Sequence, residues 1–117
     1  MALERIANYL RSHRRKSGLS QRELAQIVGF LTGVQVSKHE RSAVVPALLI
    51  AVGYELTFRV SLSELFPGLY RSVEARIEEY LANMEEELQQ STAKGRQAAL
   101  IARKLEWLWE RKNADSL

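Results

Sequence analysis

The chain contains no cysteine. Disulfides, thiolate metal sites and cysteine nucleophiles are therefore excluded. Histidine is scarce: His13 and His39 are the two in the chain, too few for a histidine-rich metal site. No metal and no cofactor is expected. No apolar run approaches the roughly 18 residues that a membrane helix needs. The longest, residues 43–52, contains Pro46 and stops at Gly53. The N-terminal decapeptide holds Glu4 and Arg5 and no small-residue cleavage site, so it does not read as a signal peptide. A cytoplasmic address and no membrane partner are the expectation. Strand signals are also missing: no run of period two is flanked by hairpin turns.

What is present is an ordinary globular composition of 117 residues, 46% hydrophobic and 26% charged. That suits one compact domain, or a domain with a helical appendage, and argues against wholesale disorder. The net charge is +3, unevenly placed. Residues 1–41 carry eight Lys/Arg against three Asp/Glu, whereas residues 73–90 carry one against six. Residues 91–117 carry six against three. A basic first third points to a polyanion partner for that part alone.

The apolar periodicity is helical nearly throughout. Leu3, Ile6, Ala7 and Leu10 predict a first helix over residues 2–16, stopped at Ser17-Gly18. Ser20 and Glu23 have the spacing of a capping box. The helix they open carries Leu24, Ala25, Ile27 and Val28 inward and ends at Gly29. After a turn at 30–33, a short polar helix is expected over 34–41, anchored inward by Val36. Pro46 suits a helix start, followed by Leu48, Leu49, Ala51, Val52, Leu56 and Phe58 as apolar residues, with Gly53 a weak point. Ser61 or Ser63 caps one more turn, which Pro67-Gly68 breaks. From Ser72 an acidic helix carries Val73, Ile77, Tyr80, Leu81, Met84 and Leu88. Residues 91–95 form a linker, and a last helix places Leu100, Ile101, Leu105, Leu108 and Trp109 on one side. The fold class is all-α, divided at residues 1–70 and 71–117.

The short polar helix would gain little from burial alone, and its side chains can reach base edges in a major groove. Glutamine suits adenine and lysine suits guanine. Gln21, at the positive end of the capped helix, suits a phosphate oxygen.

The order of G-L-S-Q at 18–21, L-A at 24–25, V-S-x-x-E at 36–40 and E-L-F at 64–66 resembles the Cro/phage-repressor (XRE) helix-turn-helix family, over residues 3–70. The resemblance implies a five-helix lambda-repressor-like domain followed here by two C-terminal helices. It implies base contacts from Thr32, Gln35 and Lys38, and phosphate contacts from Gln21, Arg15, Lys16 and Arg41. It also implies a structural ion pair between Arg14 and Glu40, which keeps the glutamate from repelling DNA. His39 is expected to pack its ring against the first helix. Two departures stand out: the turn at 30–33 is one residue longer than the common pattern, and Ser42 replaces the usual glycine. Residues 43–45 are apolar where basic residues are common, a loop suited to a partner chain.

The implied function is a sequence-specific DNA-binding transcriptional regulator, a nucleoid-associated homodimeric repressor that binds double-stranded DNA. Ile77, Leu81, Met84, Leu105, Leu108 and Trp109 are its dimerisation candidates. The alternative is an antitoxin-like or adaptor subunit whose C-terminal helices bind a different protein. An enzyme is not expected: no nucleophile–base set, metal-ligand cluster or phosphate-binding glycine loop is present.

Overall fold

Asn8 decides where the first helix starts. Its Oδ1 accepts the Leu10 N–H at 3.0 Å, while its Nδ2 donates to the His39 carbonyl and the Ser42 hydroxyl, each at 2.9 Å. Tyr9 N–H donates to the Leu65 carbonyl. Backbone groups that a longer helix would need are thus engaged elsewhere, and α1 runs Leu10–Lys16, not from residue 2. The computed structural model describes residues 7–29 and 32–114. Leu3 and Ile6 of the expected stripe, and Phe30 of the turn, lie outside them. Ala7 precedes α1 and is exposed.

Among the described residues the chain is all-helical, with no strand. Helix α2, Gln21–Val28, opens on Ser20. The Ser20 hydroxyl accepts the Glu23 N–H at 3.0 Å and Glu23 Oε1 accepts the Ser20 N–H at 2.9 Å. It closes on Gly29 in the left-handed conformation, φ 100°, which glycine adopts without strain. Leu24 and Ala25 are buried and Val28 is half-buried. Ile27, about 100° round the helix from Val28, is exposed instead of facing inward. Helix α3 is Val34–Glu40.

Helix α4, Leu48–Phe58, begins two residues after Pro46, with Ala47 as its N-cap. Tyr54 is its buried residue, with Ile50 and Phe58 packed beside the core. Leu48, Leu49, Val52 and Leu56, apolar residues of the same helix, are exposed. Gly53 is a packing contact and no weak point: a Cβ there would lie 3.1 Å from Val28 Cγ1, so its absence lets α4 close on α2. Ser61 caps α5, Leu62–Leu65, and Glu55 Oε1 accepts the Leu62 N–H at 3.0 Å.

Helix α5 ends before Pro67, as expected, and Pro67 starts α6, Pro67–Gln89, five residues ahead of the expected Ser72; a first-turn proline removes an N–H that would have no partner anyway. Helix α7 is Arg96–Asn113. The chain divides into two compact units, Met1–Val73 and Glu74–Leu117. In the first, α2 packs on α3 and α4, and α1 packs on the same two. The core is Leu10, Leu24, Ala25, Val36, Tyr54, Leu65 and Phe66. In the second, Arg111 pairs with Glu78 and Lys112 with Glu85, so α7 runs back along α6. Leu81, Met84 and Leu88 on α6 and Ala98, Ile101 and Leu105 on α7 are half-buried, and Leu108 is buried. Leu100 and Trp109 are exposed and do not share that side. No helix of the described residues is long and apolar enough to cross a membrane.

Candidate nucleic-acid interface

Helix α3 has two unlike sides. Val36 and His39 are buried, and the Glu40 side chain is only 2% exposed. On the other side Gln35 and Lys38 are exposed, with Thr32 just before the helix and Arg41 as its C-cap exposed as well. Residues three apart are neighbours on a helix surface, so Gln35, Lys38 and Arg41 form one polar, basic row.

The buried side is held by three different elements. Arg14, on α1, donates through Nε and Nη2 to the two oxygens of Glu40, at 2.5 and 3.2 Å. Its Nη1 donates to the Leu19 carbonyl at 2.8 Å. Gln21, at the start of α2, donates from Nε2 to Glu40 Oε1 at 3.1 Å. The glutamate is thus covered and neutralised, with a bidentate arginine that also fixes the turn before α2. His39 Nδ1 lies 2.7 Å from the Tyr54 hydroxyl, and the rings meet edge-on. His39 therefore packs on Tyr54 of α4. Burial pushes the imidazole pKa down. Burial, and then the charge of Glu40, raises that of the Tyr54 hydroxyl.

Gly33 sets the approach of α2 to α3. A Cβ there would lie 3.1 Å from Gln21 Cβ and 3.2 Å from Arg22 N, so a side chain would push the two helix starts apart. Thr32 Oγ1 accepts the Val34 N–H at 3.3 Å and donates to Gln35 Oε1 at 3.2 Å. The amide nitrogen of Gln35 is left as the outward end of that side chain. Arg41 Nε donates to the Ser37 hydroxyl at 3.3 Å, which steadies the guanidinium at the end of the row.

Arg15 and Lys16, in the last turn of α1, are exposed. Ser42 adopts φ 57°, the left-handed conformation that a glycine takes most easily; its hydroxyl is held by Asn8. Asn8 and Tyr54 were not singled out by sequence. Their partners lie 31, 34 and 15 residues away, beyond any local pattern. Of the dimerisation candidates, Leu81, Met84, Leu105 and Leu108 lie in the seam of the second unit, while Ile77 and Trp109 are exposed. Comparisons with family models, curated proteins and solved structures found no match to this chain.

Proposed function

We propose that the chain is a sequence-specific DNA-binding transcriptional regulator, a homodimeric repressor of the helix-turn-helix kind that inserts α3 into the major groove. One observation carries this reading: α3 buries an anchored face and displays a row of Gln35, Lys38 and Arg41. Gln35 and Lys38, with Thr32 at the front, are assigned to bases. Arg41, Arg15 and Lys16 are assigned to phosphates. Gln21 joins them because its amide has two N–H groups: Glu40 takes one, and the other is assigned to a phosphate oxygen. Arg14 cancels the charge of Glu40, which removes the repulsion that a bare carboxylate would bring to DNA. The surplus of basic residues before residue 42 suits a phosphate lattice, and the sequence resemblance to the Cro/phage-repressor family supports the same reading.

Selection of bound sequences from a random DNA pool tests the proposal. A palindromic site with half-sites about one helical turn apart is expected. Gln35→Ala and Lys38→Ala should each cost about 1–3 kcal/mol and relax preference at one base pair. Arg15→Ala should weaken binding evenly across sequences and reduce the salt slope by about one. No sequence enrichment, or unchanged preference in both α3 variants, overturns the reading.

A second reading is favoured by the aromatics left outside in the second unit. Tyr80, Trp107 and Trp109 are exposed, and aromatic residues are enriched at protein interfaces. An antitoxin-like or adaptor subunit would use them to hold a different protein, and co-purification with such a partner would favour it.

A further inference from the structure

Helix α4 is apolar on both sides, and the core uses one of them. Ile50, Tyr54 and Phe58, four residues apart, pack inward. Leu49, Val52 and Leu56 are 82%, 40% and 62% exposed, with Leu48 at 77%. A helix that is apolar all round is normally covered all round. These four side chains present on the order of 500 Å² of surface, within the range for the largest patch on an ordinary monomer. That is more than half of the roughly 800 Å² that each partner gives to a standard interface.

We propose that this face of α4 is where a second copy of the chain docks, antiparallel, about a two-fold axis at Val52. Charge selects the occupant. Residues 42–58 contain a single charged side chain, Glu55, and it is engaged on the Leu62 N–H. A charged partner would find nothing to pair with, whereas two copies meet with no like charges opposed. The spacing is self-complementary as well. Leu48 and Leu49 stand one turn before Val52 and Leu56 one turn after it. An antiparallel pair sets each Leu56 against the partner's leucines at the start of α4, as a two-fold interface requires. The three- and four-residue steps from Leu49 to Val52 to Leu56 are those of helices packing side by side.

This inference rests on the homodimer of the proposed function and names its surface; the test uses the full chain without DNA, so sequence-selective DNA binding can stand while the α4 interface fails. Sedimentation across the micromolar range should show a dimer. Leu49→Glu and Leu56→Glu should each raise its Kd at least about thirty-fold with helical circular dichroism retained, and Ile77→Glu on α6 should not. Because the chain has no cysteine, Val52→Cys introduces a sole thiol beside the two-fold axis. Mild oxidation should join it into a covalent dimer far faster than Ile77→Cys. A monomeric chain, a dimer broken by Ile77→Glu alone, or a dimer that Val52→Cys does not cross-link overturns the proposal. The cross-linking arm decides the matter even where a glutamate variant fails to fold.

Discussion

Arg14 and Glu40 place two full charges where water barely reaches, their side chains 10% and 2% exposed. A buried pair adds little over an apolar substitute, but removing one partner leaves the other uncompensated. Arg14→Ala and Glu40→Ala should each lose about 3–5 kcal/mol, read from the denaturant midpoint with an unchanged m-value. Arg59 tells the opposite story. It ends α4 at φ 57°, ψ 37°, a conformation that costs a side chain roughly 1–2 kcal/mol and glycine almost nothing. Arg59→Gly should therefore raise the thermal midpoint, by an amount near 1 kcal/mol after the added unfolded-state entropy is deducted. Ser42 has the same strain, but Ser42→Gly would also lose the hydrogen bond from Asn8, so its gain should be smaller.

The contact between α3 and α4 makes element packing sensitive to pH. His39 is buried against Tyr54 and its folded-state pKa lies below the ordinary 6.5. As pH falls through 6.5 the unfolded chain takes up a proton first, so the balance tips toward unfolding. The stability from a neutral His39 is thus complete above that value and is lost as pH drops through the folded-state pKa. Between about pH 7.5 and 5.5 the wild type should lose more stability than His39→Gln, measured by denaturation at each pH. Parallel curves would show that His39 does not titrate differently on folding.

At this scale the sequence was readable wherever the determinant is local. The box of Ser20 and Glu23 spans three residues and its partners are each other, so the start of α2 could be read directly. The start of α1 could not, because Asn8 is claimed by His39 and Ser42. Helix α4 is apolar on every side, so periodicity alone had no means of choosing Tyr54 over Leu49 as the residue to bury.

Across the whole molecule, the core cluster lies wholly between Leu10 and Leu69, while the second unit buries Leu108 and is fastened by ion pairs on its surface. Exposed pairs of this kind stabilise little. A chain stopped after Val73 should keep a cooperative thermal transition, whereas residues 74–117 alone should melt gradually, both followed by circular dichroism. Sharp unfolding of the isolated hairpin would show that its seam is stronger than its burial implies.

Sequence by itself determined the helical class, the caps at Ser20 and Gly29, the inward role of Val36 and the basic first third. Each depends on neighbours a few residues apart or on composition. Tertiary structure alone decided that Glu40 is shared by Arg14 and Gln21, that His39 lies on Tyr54, and that one apolar face of α4 stays outside. Those depend on which helices meet, and burial is assigned by the whole packing arrangement and not by any segment's own pattern.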